Sequence, residues 1–398
     1  MIYLHENGVT VVATDEEKRG KVYELNGEKY YVARGVSDIK RIVDSGEYPL
    51  NRVITSKLTS LNYLFQIRGG YNKAVPDNFS DDITNWDTSN VLSMEEVFSG
   101  WPKFNGDISN WDTSRVESMY GMFKSSKYVG SHYSGDTSFN QDISNWDTSR
   151  VKNMSEMFLG ATSFNQDISN WDVGSVENMG YMFSGATSFN QNINNWDVSN
   201  VKSMYYMFSN ITKIGIVAFV GTYEYNWADS TAFNQPIGNW NVSNVVNMSG
   251  MFSGATSFNQ DISNWDVSNV DMSSMFRGAT SFNQPIGNLN VSNVKDLDGM
   301  FSGATSFNQD ISSWDISNIT SLNGLFRGAS SFNQDISKWD VSNVVNMSDM
   351  FSGATSFNQD ISGWDVSSLS WVEGMFLSLI HISEPTRLLS ISYAVFCL

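Results

Sequence analysis

The sequence predicts an α/β solenoid of stacked strand–turn–short-helix units, preceded by a small α+β module. A Trp-Asp pair or a close variant recurs eleven times, mostly at intervals of 25 residues, from Trp86-Asp87 to Trp364-Asp365. Every interval carries the same order of apolar residues, as in the unit 258–282. Self-similarity at this period is typical of supersecondary units that stack around one continuous core.

Each unit combines two apolar periodicities. Trp265-Asp266-Val267 alternates with period two, which predicts a short strand. Another set of apolar residues has the spacing of one helix face: Val151, Met154, Met157 and Phe158. Gly254 follows the same set in a later repeat and predicts the helix end. We therefore expect parallel strands on one side of the stack and helices on the other.

Residues 1–60 differ from the repeats. They contain predicted strands at 9–13, 21–25 and 29–33, with a hairpin turn at Asn26-Gly27. A helix is predicted over 36–45, with Ser37 as its N-cap. The simplest role for this module is an N-terminal cap over the first repeat of the solenoid at 61–376, although a separate binding module is the alternative.

The last segment, 377–398, departs from the repeat. It resembles the translation of a sequencing-library adapter followed by its primer, so we expect a non-native tail without functional weight. The alternative is an apolar C-terminal cap, but a capping segment should present a polar outer face.

Composition excludes several classes of protein. The 398 residues carry a formal net charge of −18, while the first 60 contain nine acidic and nine basic side chains. The acidity therefore lies in the repeats and disfavours nucleic acid and anionic membrane surfaces as partners. The single cysteine, Cys397, excludes a disulfide framework. Neither a membrane span nor a secretory signal is visible, so we expect either no export by that route or a start farther upstream.

No constellation of residues predicts catalysis. The three histidines are His5, His132 and His381, and none has a nucleophile or metal-ligand pattern around it. We therefore expect a non-enzymatic protein with no catalytic residues, no cofactor and no bound metal.

Aspartates recur in two columns, as at Asp142 and Asp147. Stacked carboxylates suit calcium, but they also suit turns and caps. In two repeats the first Asp is replaced by Pro, the following Ser by Gly and the second Asp by Asn, as at Pro236, Gly238 and Asn241. This joint change predicts that the three positions touch and favours a local hydrogen-bond cluster over an obligatory calcium site.

Two further columns allow a functional alternative. The Trp and Phe columns resemble a stacking platform for sugars, but their place in the apolar pattern predicts core. The Thr column, which includes Thr162, Thr187 and Thr256, resembles an ice-binding face, but it lies in a predicted Gly-Ala-Thr-Ser turn.

Insertions near 66–78, 124–136 and 209–230 enter at one phase of the repeat. In repeat proteins, insertions at one phase map to loops on one face, which is often the binding face. These insertions concentrate aromatic residues, which are typical of binding surfaces. We therefore predict these partner contacts: Tyr128, His132, Tyr133, Tyr223, Tyr225 and Trp227. The alternative is tolerated loop variation.

The unit at 163–176, Ser-Phe-Asn-Gln-Asp-Ile-Ser-Asn-Trp-Asp-Val-Gly-Ser-Val, resembles the BspA-like repeat surface proteins over roughly 79–376. The run from Ile262 to Val270 also approximates the leucine-rich-repeat consensus, with its Asn and last apolar residue early. The resemblance implies a leucine-rich-repeat-like fold, surface exposure, adhesion and protein binding. It supplies no catalytic residue.

The leading hypothesis is therefore a surface adhesion or protein-binding module whose partner is a protein or a host-surface or matrix ligand. A structural spacer, for example in a virion or tail fibre, is the alternative. A calcium-dependent glycan binder is the third hypothesis. The family resemblance places the chain at the cell surface or outside the cell, whereas a missing signal peptide leaves cytoplasmic and virion-associated locations open.

Overall fold

The computed structural model describes residues 1–14, 16–66, 82–125, 128–129, 132–133, 137–210, 217–219, 222–224 and 231–377. The chain divides into two compact units. The first comprises Met1–Asp197 and Ile211–Glu224, and the second comprises Val198–Asn210 and Tyr225–Leu398. Both units contain the same repeat.

Among the described residues of the first unit, the strands and the helix outside the insertions all lie in the N-terminal module. Its elements are β1 (Ile2–Leu4), β2 (Val11–Ala13), β3 (Val22–Leu25), β4 (Glu28–Val32), α1 (Val36–Ser45), a 3-10 turn (Leu50–Arg52) and β5 (Val53–Ile54). β1 pairs with β2 antiparallel, and a second sheet has the order β3-β4-β5. Asn26 and Gly27 join β3 to β4 with φ values of 54° and 81°, as a two-residue hairpin turn requires. The helix lies where it is predicted, but its N-cap is Gly35 and not Ser37.

The module is joined to the first repeat through hydrogen bonds that the repeats also use. The indole Nε1 of Trp86 donates to the carbonyl of Leu50 at 3.0 Å. Thr55 Oγ1 donates to the carbonyl of Asp87 at 2.9 Å, as Thr88 Oγ1 does to that of Asp112 at 3.0 Å. Residues 53–65 therefore already form half a repeat, and the repeat pattern starts inside the segment predicted as 1–60.

Aromatic columns fill the core of each unit. Rings of neighbouring repeats stack, as between Phe158 and Phe183 at 5.6 Å, and between Trp240 and Trp265 at 6.5 Å. Most of the Trp side chains in this column also donate Nε1 to an isoleucine carbonyl of the preceding repeat, as Trp171 does to Ile143 at 3.1 Å. Because large aromatic side chains each bury roughly 150–250 Å², these columns dominate the apolar burial.

A backbone hydrogen-bond ladder connects neighbouring repeats. In the second unit, alternate N–H groups of one repeat donate to carbonyls of the next repeat. The bonds are Met248 to Asp271 at 2.9 Å, Gly250 to Ser273 at 2.8 Å, Phe252 to Met275 at 2.9 Å, and Gly254 to Arg277 at 2.6 Å. These four N–H groups therefore point towards the following repeat, while Asp271 N–H donates in the other direction, to the Val246 carbonyl at 3.0 Å.

The segment predicted as a helix is a series of overlapping turns. Met251 N–H donates to the Met248 carbonyl at 3.0 Å, and Ser253 N–H donates to the Gly250 carbonyl at 2.9 Å, so each bond spans three residues. Gly250 and Gly254 have φ values of +60° and +73°, which a right-handed helix does not admit. These turns replace the predicted helix of the repeat.

The predicted strand of the repeat also differs from the structure. Trp265-Asp266-Val267 lies outside any strand. Parallel pairing between repeats instead occurs at single positions inside the turn segment, for example between Asn247 and Asp271.

One backbone position of the turn segment is left-handed in repeat after repeat. It lies two residues after the first buried Met or its equivalent. Glycine occupies it at 121, 250, 299, 324 and 374, and other residues occupy it at Tyr63, Glu96, Glu156, Tyr181, Tyr206, Ser274 and Asp349. A non-glycine residue costs roughly 1–2 kcal/mol in this conformation. We call these residues the left-handed column.

Candidate functional site

The aromatic columns are core, as predicted, and form no sugar platform. Trp171 is 4% exposed, and Phe158 and Phe164 are 0% exposed. Their counterparts from Phe65 to Trp364 are buried in the same way, with Leu289 at one Trp position, while Phe376 in the last repeat is half-buried. The Trp and Phe side chains of these columns are therefore not available to a ligand.

The recurring aspartates bind their own turns. Asp142 Oδ1 accepts the N–H of Ser144 at 2.9 Å. Asp147 Oδ1 accepts both the hydroxyl of Ser149 at 2.6 Å and its N–H at 3.0 Å. These hydrogen bonds, from the backbone first at Asp142 and from the side chain first at Asp147, hold the pKa of both carboxyls below the ordinary value. In the described parts of the chain, no three His, Cys, Asp or Glu side chains gather in a way that would hold a metal ion.

Two repeats have Gly at the position where other repeats have Ser, and the structure around Gly238 explains this replacement. A Cβ atom built on Gly238 would lie 2.5 Å from the carbonyl oxygen of Asp261 in the next repeat, so a side chain does not fit. Asn241 instead accepts the hydroxyl of Ser243 at 2.8 Å, as Asp147 does with Ser149. Close backbone approach therefore accounts for Gly238, and Asn241 keeps the separate turn that an aspartate forms elsewhere.

The insertions leave the core beside them unchanged. Phe123 and Phe139 flank the second insertion, and their ring centroids are 3.8 Å apart. Phe208 and Phe233 flank the third insertion at 3.9 Å. In an uninterrupted repeat, the equivalent Phe158–Phe164 distance is also 3.9 Å. The flanking aromatic pairs therefore keep the packing of an uninterrupted repeat.

Two insertions contain short antiparallel hairpins. In the first unit, β6 (Tyr128–Val129) pairs with β7 (His132–Tyr133), and β8 (Val217–Phe219) pairs with β9 (Thr222–Glu224). The backbones of Tyr128, His132, Tyr133 and Tyr223 thus belong to hairpins. Tyr225, Trp227 and nearly all of 66–78 lie outside the described residues. The role of all six predicted contact residues stays a prediction.

A charged cluster that no sequence pattern indicates lies at the start of the second insertion. Lys124 Nζ lies 2.9 Å from Glu96 Oε1 and 2.9 Å from Glu156 Oε2. The three side chains are only 13%, 10% and 16% exposed. Burial alone would lower the pKa of Lys124, but the hydrogen bonds to Glu96 and Glu156 outweigh it and raise the pKa. The ammonium also lies 4.6 Å from the ring centre of Tyr120.

Glycines of the left-handed column make room for their neighbours. A Cβ atom on Gly121 would lie 2.8 Å from Lys124 Cδ and 3.2 Å from Glu96 Cγ. In the second unit, a Cβ atom on Gly250 would lie 2.1 Å from the ring of Tyr206. The sequence did contain a signal for this arrangement, because glycine occurs at one fixed position inside the predicted helix of several repeats.

Comparison with known proteins places the chain in a family. One family, described as Mycoplasma protein of unknown function, DUF285, matches four times in tandem, at residues 43–131, 129–216, 217–314 and 296–392. No curated protein matches the chain. Among the described residues, no helix has the length and apolar character needed to cross a membrane. The four matches run through most of the chain, which therefore belongs to the family of repeat proteins described as Mycoplasma protein of unknown function, DUF285.

Proposed function

We propose that this chain is a non-enzymatic repeat protein that mediates surface adhesion or protein–protein binding. The regular repeats form a leucine-rich-repeat-like solenoid that acts as a scaffold, and the insertions supply the partner contacts. The supporting observation is the unchanged aromatic pair on both sides of an insertion, at 3.8 Å for Phe123 and Phe139. Insertions that leave the scaffold intact can vary in sequence without loss of the fold.

The chemistry of the regular repeats supports the same division of roles. Their Trp and Phe side chains are buried, and their Asp side chains bind their own turns. The turn residues that they present to solvent recur from repeat to repeat, so these residues do not by themselves define one partner site. The insertions break this uniformity and contain tyrosine and tryptophan, which give large contact areas at low entropic cost.

The BspA-like resemblance supports a location at the cell surface or outside the cell. The family match supports the coarser class of tandem-repeat protein. A protein or host-surface ligand fits this assignment better than nucleic acid, because a net charge of −18 repels phosphate.

The experiment replaces the second and third insertions with the Ser-Gly-Ala-Thr-Ser turn of the uninterrupted repeats. Beads carrying the full chain or the variant are applied to cultured epithelial cells and to surfaces coated with fibronectin, laminin or collagen. We expect the variant to keep the melting temperature of the parent, because the shortened turns restore the regular repeat, and to lose most bead attachment.

A matched control replaces the same insertions with Gly-Ser segments of equal length. Attachment should again fall, because length is kept while the aromatic residues are removed. If a correctly folded variant attaches as well as the parent, the insertions are not the binding site. Attachment that depends on added calcium and is inhibited by a free sugar would favour a glycan binder.

A structural spacer is the second candidate. It is supported by the run of repeats from Phe233 to Phe357, where no insertion interrupts the period and neighbouring rings of this column keep centroid distances of 6.0–6.3 Å. Beads carrying the full chain that attach to none of the tested surfaces would favour this function.

A further inference from the structure

The second insertion leaves the repeats at a point where the backbone is held on both sides. Lys124 is its first residue, and the Lys124 carbonyl accepts the N–H of Gly100 in the preceding repeat at 2.7 Å. Ser125 is 3% exposed and donates its N–H to the carbonyl of Leu159 in the following repeat at 2.8 Å. The ladder between repeats therefore continues to Ser125, shortly before β6 begins at Tyr128.

The chain returns to the stack at Thr137 and Ser138. Ser138 donates its N–H to the carbonyl of Pro102 in the preceding repeat at 2.8 Å, and Thr137 is only 3% exposed. Backbone hydrogen bonds thus fix both ends of the second insertion to the repeats. A segment that is ordered before it binds loses less conformational entropy when a partner arrives.

Side chains add a second fixation at Lys124. Its ammonium lies 2.9 Å from Glu96 in the preceding repeat and 2.9 Å from Glu156 in the following repeat. It also donates to the hydroxyl of Tyr120 at 3.2 Å. Glu96 in turn accepts the side-chain amide of Gln66, the residue at which the first insertion starts. Side-chain bonds therefore tie Lys124 to both neighbouring repeats and, through Glu96, to the start of the first insertion.

The repeats do not need this charged cluster in order to stack. In the following repeat, Leu159 occupies the position of Lys124 and is 3% exposed. Glu96 and Glu156 have φ values of 51° and 59° in the left-handed column, where glycine avoids the backbone cost that glutamate has. A buried ion pair is also often no more stabilising than apolar side chains of similar volume. The stability of the stack therefore does not account for the cluster.

We propose that Lys124 is a positioning residue for partner binding. Glu96 and Glu156 hold its side chain, so the second insertion leaves the stack in one direction and the hairpin of β6 and β7 is preorganised for a partner. The proposal deepens the protein-binding function proposed above and rests on it. It adds the group that orients one of the binding segments.

The test replaces the cluster in the full chain with residues that other repeats carry at the same positions. One variant combines Glu96→Gly, Lys124→Leu and Glu156→Gly. Its melting temperature should stay the same or rise, because both glutamates are removed together with their partner and glycine suits the left-handed backbone. A lower melting temperature would show that the cluster serves the stack, and would overturn the proposal.

Amide hydrogen exchange, followed by mass spectrometry, measures whether the insertion is held. Exchange in the peptide 125–136 should become about tenfold faster in the cluster variant, while the peptide 139–165 of the neighbouring repeats should not change. Equal exchange of 125–136 in both proteins, or exchange that is already unprotected in the parent, would show that Lys124 positions nothing.

A matched control removes a similar ion pair from the second unit, in a repeat without an insertion. Arg327 lies 3.2 Å from Asp349 Oδ2, and the two residues occupy the positions of Lys124 and Glu156 in their own repeats. Arg327→Leu with Asp349→Gly should change neither the exchange of 125–136 nor the bead attachment. Effects as large as those of the cluster variant would mean that any lost ion pair suffices, and would contradict the proposal.

Bead attachment connects this position to binding. Beads carrying the cluster variant should attach several-fold less than parent beads to the surfaces that hold the parent, because an insertion with a loose start loses more conformational entropy on binding. Faster exchange with full attachment would contradict the positioning role. The exchange measurement needs no partner, so it separates failure of this proposal from failure of the protein-binding function, which parent beads that attach to no surface would show.

Discussion

Gly250→Ala tests the left-handed column through a close contact within the second unit. The new Cβ atom would lie 2.1 Å from Cε1 of Tyr206, so the ring of Tyr206 must move. Alanine at a φ of +60° also costs about 1–2 kcal/mol of backbone energy. Overpacking a tight site adds about 1–3 kcal/mol. We therefore expect the free energy of unfolding to fall by about 2–5 kcal/mol, the sum of these two ranges.

The matched control is Gly324→Ala in the same column. Its φ is +59°, and the nearest atom to the new Cβ would be Arg327 Cβ at 3.8 Å, which is ordinary contact. Only the backbone cost of about 1–2 kcal/mol should then appear. The difference between the two variants isolates the displacement of the Tyr206 ring.

Urea denaturation followed by tryptophan fluorescence measures both variants. Adding Tyr206→Ala completes a double-mutant cycle, in which the coupling between Tyr206 and Gly250 should account for the excess loss. Equal destabilisation by Gly250→Ala and Gly324→Ala would refute the assigned packing of Tyr206, and no loss in either variant would refute the left-handed backbone.

Three further predictions follow from side chains with defined partners. Lys124→Met should lower the free energy of unfolding by about 3–5 kcal/mol, because two buried carboxylates lose their partner. Lys152→Met is the control and should change the free energy of unfolding by about 0–1 kcal/mol, because its partner Glu117 is 58% exposed. Equal effects of the two variants in urea denaturation would contradict the buried cluster. A calcium chelator should not shift the melting temperature, because Asp142 already bonds to Ser144, and a large drop would contradict this assignment. Hydrogen bonds from the following serine hold the pKa of Asp261, Asp310 and Asp335 below its ordinary value. The stabilisation from these aspartates should therefore be complete above about pH 4 and be lost as the pH falls through the folded pKa; a melting temperature that does not fall between pH 5 and pH 2 would contradict it.

The periodic pattern of apolar residues predicts the buried side chains of the repeats correctly. Trp171 and Phe158 recur at fixed positions of an apolar pattern, and burial follows from that pattern without knowledge of the backbone. Asn26-Gly27 and the helix at Val36–Ser45 are local signals, and both lie where they are predicted. The Ser37 cap is wrong because the helix starts at Val36, so its N-cap is Gly35, two residues earlier.

The turn segment shows where periodicity fails. Apolar spacings of three and one residues suit one face of a helix, but overlapping turns with left-handed residues bury the same positions. Tyr181 and Glu156 give no sequence signal of a positive φ, because such residues adopt it only when neighbouring repeats hold them there. The Lys124 cluster was missed for a related reason, since Glu96 and Glu156 lie 28 and 32 residues away in the sequence.

The most direct test of the stacked-repeat account is the hydrogen-bond acceptor of the Gly250 amide. Coupling across the hydrogen bond, between the amide nitrogen of Gly250 and a carbonyl carbon, identifies that acceptor by NMR. The structure places it at Ser273 in the following repeat, 2.8 Å away. We therefore predict a coupling to the Ser273 carbonyl. A coupling to the Val246 carbonyl, four residues earlier, would show a helix in the repeat and contradict the hydrogen-bond ladder between repeats.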